Sequence, residues 1–292
     1  MKRNDCPCCR SNNIKPFINE FEKGYDLYTC KSCSVIFSNP FESAKADFYT
    51  NAKDVASKSR HESLAPLHKQ HPSRKCEQLK NGDGKVLLDI GCGNGAFASF
   101  ANENGLKVYG IDIDKSSLSA AKSRNLTSST FYEATLDNLK EYSDIPEKFD
   151  IITMFEVFEH IENPNETIEK IKSLLKPDGL FIGSLPNVAR TRMWTMNMDY
   201  ERPPYHLTYW TIQTWRHYLK EHEIELVFAE NNNYYGYMSD VLRIVTLKSL
   251  KMPVLKDIIA IILLGVKKYI ESPIEIIAKQ GASFFFVSKK QL

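Results

Sequence analysis

Three features of the chain predict an α/β fold, doubly wound around a seven-stranded, mostly parallel sheet. From Lys85 onward, short apolar runs alternate with amphipathic segments. The run Leu87 to Ile90 passes through Asp89 into a glycine turn, Gly91-Cys92-Gly93-Asn94-Gly95. A capped helix near residue 163 ends in Pro177-Asp178-Gly179 and leads back into an apolar run. Such alternation gives parallel strands covered by helices on both faces, with ligands held beyond the carboxyl ends of the strands. A small cysteine-bearing ribbon precedes the sheet, and a helical insertion interrupts its last part.

The ribbon, residues 1–40, rests on two CxxC pairs, Cys6 with Cys9 and Cys30 with Cys33, twenty residues apart. Each pair can aim two thiolates at one tetrahedral zinc ion, and a segment too short to bury a core gains folding energy from the metal. Four thiolates close the coordination sphere, so the zinc is read as structural. Cys8 competes with Cys9 as the fourth ligand. Val35 to Phe37 reads as a strand that Asn39-Pro40 ends. Residues 41–80 contain Pro66 and Pro72 and lack long periodicity, which predicts a linker with a helix near Phe48 and Tyr49 folded over the ligand site.

The main domain, residues 81–292, begins at the turn Asn81 to Gly84, and its strands are predicted at 85–90, 107–112, 130–133, 149–154 and 179–184. Phe97, Phe100 and Ala101 share one helix face before a stop at Gly105, and Leu118 and Ala121 follow a cap at Asp114 or Ser116. The next helix has Asn163 as cap, Pro164 in its first position and Ile168, Ile171, Leu174 and Leu175 on its apolar face. Strands near 225–230 and 283–288 complete the sheet. The insertion at about 238–279 separates them and holds the apolar run Ile258 to Val266.

Composition narrows the function classes. The chain has 292 residues and 42% hydrophobic content, with 38 basic and 36 acidic residues giving a net charge of +2. That near-balance is no electrostatic footprint for nucleic acid and points to a small-molecule or glycan substrate. The start, MKRNDCPCC, has no apolar signal region, so a cytoplasmic location with reduced cysteines is expected.

The glycine turn builds a nucleoside site. Glycines let the backbone turn tightly and approach a ligand, and the following helix offers its unpaired N–H groups. Asp112, at the tip of the run Lys107 to Ile111, can accept hydrogen bonds from ribose hydroxyls. Gly91, Gly93 and Ala96 also satisfy a dinucleotide spacing. Asp89, two residues before the first glycine and placed to meet an amino group, favours S-adenosylmethionine, as does the lack of a further phosphate cradle.

The order LLDIGCGNG, VYGIDID, FYEAT, FDIITMFEVFEHIENP and LLKPDGLFIGSLPN resembles the motif series of the class I S-adenosylmethionine-dependent methyltransferases, a Rossmann-like family. The likeness covers roughly residues 85–230. It implies that Asp89, Gly91 and Gly93 surround the methionine moiety, Asp112 holds the ribose and Ile113 packs on the adenine. It further implies that Glu133 and Ala134 flank the adenine edge and that Phe155 lies beneath the sulfonium. Glu133 reads equally as a solvated loop residue. The ribbon, VIFSNP and PPYHLTYWT together are similar to bacterial ubiquinone-type methyltransferases, including those acting on surface polysaccharides and secondary metabolites. The segment after PPYHLTYWT departs from that pattern, because the helix of Ile212, Trp215 and Leu219 leads directly into Glu223 and Ile224.

O-methylation of a sugar or nucleotide-sugar hydroxyl needs a general base, because the attacking oxygen must lose its proton. His160, with Glu156 beside it in the segment Glu156 to His160, and His206 are the candidates. In ubiquinone-type enzymes the matching ExxEH holds a divalent metal, which implies Glu156, Glu159 and His160 as ligands. The bland alternatives are a packed His160 with a solvated Glu159, and a His206 that belongs to a packed lid. The loop Asn187 to Tyr209 carries Arg190, Arg192, Arg202 and Tyr205, a natural clamp for a phosphorylated acceptor or else an ordinary charged surface loop.

The run 258–266 is too short to span a bilayer and reads as a dimer or core helix, or as a peripheral membrane contact. The rival readings are a ribosomal RNA methyltransferase with a zinc module, a non-catalytic cofactor-binding protein, and a nicotinamide oxidoreductase.

Overall fold

The structure is a computed structural model that describes residues 2–43, 76–189, 201–232 and 283–291. The helix expected near Phe48 and Tyr49, Arg190, Arg192 and the insertion with its 258–266 run lie outside these residues. Among the described residues no helix is long and apolar enough to cross a membrane.

The chain opens on β1 (Ile14–Glu22), β2 (Tyr25–Cys30) and β3 (Ile36–Asn39), paired antiparallel in sequence order. Only the last of these strands was legible from the sequence. A short α1 (Glu77–Lys80) leads into β4 (Val86–Ile90), α2 (Ala96–Glu103), β5 (Lys107–Asp112), α3 (Lys115–Ser123), β6 (Ser129–Glu133) and β7 (Phe149–Phe155). Then come α4 (Pro164–Leu174), β8 (Leu175–Pro186), β9 (Thr208–Tyr209), α5 (Ile212–Glu221), β10 (Ile224–Asn232) and β11 (Ser283–Lys290).

Seven strands form the main sheet in the order β10-β11-β8-β7-β4-β5-β6. β4 runs parallel to β5 and β7, whereas β11 is antiparallel to both β8 and β10. The chain works outward from β4 in one direction through β5 and β6, then returns to the other side through β7. That reversal leaves a crevice at the carboxyl ends of the central strands.

β4 explains why the sheet needs two layers of helices. Leu87 and Leu88 are both fully buried, but alternation along the strand sends them into different hydrophobic clusters on opposite faces. Each such side chain contributes about 1.5–3 kcal/mol by leaving water. The helix ends follow local chemistry. Asp114 caps α3 by accepting from the Ser116 amide, and Thr211 and Thr214 form a reciprocal cap on α5.

The Pro-Asp-Gly turn is absorbed into a strand. β8 starts at Leu175, Asp178 takes φ +63°, and the register against β7 slips between Phe149 and Ile151. Gly179 fits there because a Cβ would stand 2.9 Å from the Lys176 carbonyl oxygen.

The ribbon sheet is not separate from the rest. β9, which follows the loop after β8, pairs antiparallel with β3, with Phe37 opposite Thr208. Cys6, Cys8, Cys33, Val35 and Phe37 also share one buried cluster with Phe158, Trp210, Trp215 and Tyr218.

Candidate functional site

The crevice is lined by the turn between β4 and α2. Gly91, Gly93 and Gly95 have φ of +72°, +53° and +73°, a left-handed region that side chains with a Cβ rarely occupy. They differ in what surrounds them. A Cβ on Gly91 would meet Val157 at 2.5 Å and one on Gly95 would press on Ala121, whereas one on Gly93 would meet nothing within 4 Å. Gly93 therefore faces an open cradle, and the turn is shaped to hold a group there.

Two carboxylates set that cradle. Asp112 accepts from the Gly93 amide through Oδ2 and from the Asp114 amide through Oδ1, both at 2.8 Å. Each oxygen keeps a second lone pair for a hydroxyl. Asp89 is 2% exposed and accepts from Thr153 Oγ1 at 2.7 Å. Burial pushes its carboxyl up to about 7, a rise that the Thr153 bond opposes and the charge of Asp112 assists. A buried acid with no cationic partner among the described residues is poised to ionise when a positive group arrives. Thr153 was not singled out in the sequence. It is the polar residue that β7 places opposite Asp89 in the parallel register.

The remaining expected donor contacts lie at the carboxyl ends of the neighbouring strands β5, β6 and β7. Ile113, directly after Asp112, is 72% exposed, an unusual position for a large apolar side chain. Ala134 is buried and its amide donates to the Asp112 carbonyl at 3.2 Å. Glu133 is exposed, 3.4 Å from Lys115. Phe155, at the end of β7, packs edge-on against Phe97 of α2 with centroids 4.7 Å apart. The open cradle, an acid awaiting a cation and a bare apolar strand tip fit S-adenosylmethionine, whose amino, ribose and adenine groups match them in kind.

A second constellation lies just past β7. Glu159 is 1% exposed and its carboxylate has no hydrogen-bond partner among the described residues, while Oε1 stands 3.8 Å from His160 Nε2 and 3.9 Å from His206 Nε2. Burial drives this carboxyl well above the usual carboxylate range, with Glu156 and Glu201 adding to the rise. Glu159 is thus not the solvated residue of the bland sequence reading. His160 Nδ1 lies 2.6 Å from the Tyr205 carbonyl. A carbonyl only accepts, so Nδ1 carries the proton, and in the neutral imidazole the lone pair is then on Nε2, the nitrogen nearest Glu159.

The structure alters the ligand set implied by the ExxEH segment. Glu159, His160 and His206 bring one ligand atom each within 4.8 Å of one another. Glu156 instead accepts from Ser184 Oγ at 2.7 Å, in a backbone conformation with φ +54°. His206 takes its place because Leu207 donates to the Glu159 carbonyl at 2.8 Å, which pins the distant loop beside the strand exit.

In the ribbon, Cys6, Cys9, Cys30 and Cys33 converge, with Sγ separations of 3.6 Å for Cys6 and Cys33 and 3.5 Å for Cys9 and Cys30. Four thiolates about 2.3 Å from one zinc ion stand about 3.8 Å apart, so the cluster fits that metal. Cys8 is buried beside the four but is not one of the converging set. Of the loop residues expected to touch an acceptor, Tyr205 lies beside His160, and Arg202 donates to the Phe21 carbonyl and to Glu22 in the ribbon.

Comparison with known proteins agrees with this geometry. The methyltransferase domain family matches residues 63–227. The ubiquinone biosynthesis O-methyltransferase of Glaesserella parasuis is 36% identical over 137 residues, covering 44% of this chain and 58% of that protein. Its counterpart in Aliivibrio fischeri is 32% identical over 118 residues, covering 39% and 50%. The chain thus spans about half the length of the curated relatives it matches. A methyltransferase from Archaeoglobus fulgidus, described as S-adenosylmethionine-dependent, superposes with a TM-score of 0.52 at 18% identity over 77% of this chain and 94% of its own. A putative methyltransferase solved with the Haloferax volcanii Trm112 activator gives 0.56 at 16% identity, over 86% and 100%. The family match takes in the cradle, both acidic strand tips and the Glu159 segment, and the chain belongs to the methyltransferase domain family, with the class I S-adenosylmethionine-dependent fold.

Proposed function

We propose that this chain transfers a methyl group from S-adenosylmethionine to a hydroxyl oxygen of a small molecule. The observation that carries the reading is the meeting of Glu159, His160 and His206 beside the donor crevice. When bound, the donor supplies a methyl carbon made electrophilic by its sulfonium. A hydroxyl that attacks this carbon must shed a proton, and an imidazole whose Nδ1 proton is held by the Tyr205 carbonyl can take it on Nε2. Glu159 is buried 3.8 Å from His160 Nε2, and a positive charge on that imidazole favours the carboxylate form that burial otherwise opposes. Asp89 and Asp112 orient the donor at the strand tips, and this positioning supplies much of the rate.

A second reading of the same residues has a specific observation behind it. The three ligand atoms within 4.8 Å of one another suit a divalent cation, which would lower the pKa of a hydroxyl held there. The named relatives act as O-methyltransferases in ubiquinone biosynthesis, which supports oxygen as the acceptor atom. Nucleotide sugars and glycan precursors remain in the acceptor class because Arg190 and Arg192 in the same loop suit a phosphate.

The test is transfer of a labelled methyl group to a panel of hydroxylated aromatics, nucleotide sugars and structured RNA, with and without a divalent-metal chelator. Label in a hydroxylated small molecule is the expected result. Loss of transfer with chelator, restored by added metal, selects the cation reading. Label in RNA alone, or donor binding without transfer to any acceptor, overturns the proposal.

A further inference from the structure

We propose that the cysteine ribbon is the positioning frame of the acceptor side, with Arg202 as the strut that keeps His206 against Glu159 and His160. The role given to His206 rests on the function proposed above, whereas the frame itself is a matter of geometry.

The segment from Glu201 to Tyr209 is anchored to the ribbon at both ends. Upstream, Arg202 Nη1 donates to the Phe21 carbonyl at 3.0 Å and to Glu22 Oε2 at 3.3 Å, and its guanidinium lies 5.0 Å over the Phe21 ring. The carbonyl of Arg202 in turn accepts from the Tyr205 and His206 amides, at 2.9 Å and 3.3 Å. The turn bearing His206 therefore hangs from Arg202. Downstream, the Ser38 amide donates to the Leu207 carbonyl at 2.9 Å, Thr208 and Tyr209 pair with Phe37 and Ile36, and the Tyr209 ring meets Phe21 edge-on.

Between these anchors backbone hydrogen bonds tie the segment to the site. The Tyr205 carbonyl lies 2.6 Å from His160 Nδ1, and the Leu207 amide donates to the Glu159 carbonyl. His206 sits between them, 7% exposed. These anchors lie in the ribbon and at the exit of β7.

The ribbon is in turn held by its four thiolates. Cys30 ends β2, and Cys33 precedes β3 by three residues, so the cluster fixes the strand that receives β9. A segment this short has little core of its own, and without the metal its strands fray. Arg202, bound to Phe21 and Glu22 of the ribbon, acts through His206 and is a positioning residue rather than a catalytic one. Its planar fork serves a carbonyl, a carboxylate and an aromatic face together.

The experiment uses the full chain in zinc-loaded and chelated forms, together with Arg202→Ala and Arg202→Lys. Amide exchange of peptides from 201–210 is read by mass spectrometry, beside donor affinity by calorimetry and kcat and KM for transfer. Chelation and Arg202→Ala should each speed exchange at Leu207 and Tyr209 by about tenfold or more. Arg202→Ala should lower kcat about tenfold while donor affinity stays within about twofold. Arg202→Lys should fall between the unaltered protein and Arg202→Ala in kcat, because an ammonium can keep the charge contact with Glu22 but loses the planar fork over Phe21. Unchanged exchange in Arg202→Ala overturns the frame, as does a parallel fall in donor affinity or an equal loss in both variants. If the chelated chain aggregates, the Arg202 pair decides alone. Exchange that responds as expected while no hydroxyl acceptor is methylated sinks the proposed function and leaves the frame standing.

Discussion

The imidazoles of His160 and His206 meet edge to face, with centroids 4.8 Å apart and planes at 77°. Glu159 lies within 4 Å of both Nε2 atoms, so the three residues form one electrostatic unit. Their effects on turnover should not add. His206→Gln is expected to cut methyl transfer by about a hundredfold or more with donor affinity unchanged. The double variant Glu159→Gln with His206→Gln should cost little more than the larger single change. Single-turnover transfer checks this, and simple multiplication of the two effects would show that the residues act independently.

Asp89 gives donor binding a pH dependence. Its carboxyl rises from 3.8 to about 7 on burial, so between these values the folded protein holds a proton that the unfolded chain has shed. Stability contributed by this group therefore falls as pH rises through that window and levels off above about 7. A cationic donor reverses the preference by favouring the carboxylate. Donor affinity should be about tenfold weaker at about pH 6 than at about pH 8, with a proton released on binding at the lower value. Calorimetry in buffers of different ionisation enthalpy measures both, and Asp89→Asn should remove the dependence.

Two glycines should fail in different ways. Gly93→Ala places a methyl in open space at φ +53°, a strain of about 1–2 kcal/mol. The protein should fold with a slightly lower Tm yet lose donor affinity, because the methyl occupies the cradle. Gly183→Ala would put a methyl 2.2 Å from the Met154 carbonyl oxygen inside the sheet, and should lower Tm far more. Thermal melts with and without donor separate the two. Donor binding by Gly93→Ala at full strength would contradict the cradle.

Zinc content should distinguish neighbouring cysteines. Cys9→Ser removes a thiolate from the converging four and should lose the metal with a fall in Tm. Cys8→Ser lies outside that set and should retain one zinc ion per chain. Elemental analysis of the purified variants decides, and metal loss in Cys8→Ser would reverse the assignment.

Much of the sheet was legible because its signals are local. Strand β4 announces itself by an apolar run, interrupted only by Asp89, that must be covered on both faces, and the glycines after it by a turn that other residues resist. The cap at Asp114, Pro164 at the start of α4 and the spacing of the four cysteines are likewise short-range chemistry. The first two ribbon strands escaped because their exposed faces give little apolar periodicity, as Ile14–Glu22 shows by having no buried residue.

The amino-acid order by itself determined the parallel core, the donor cradle at Asp89 to Gly95, the acid at Asp112 and the four-thiolate knuckles, since each depends on residues adjacent in the chain or on one element period. Only the tertiary structure decided that His206, rather than Glu156, joins Glu159 and His160, and that Arg202 reaches back to Phe21. Those pairings are set by where β9 docks on β3 and where Leu207 finds the Glu159 carbonyl. Backbone hydrogen bonds between distant segments carry no mark in the side chains they bring together.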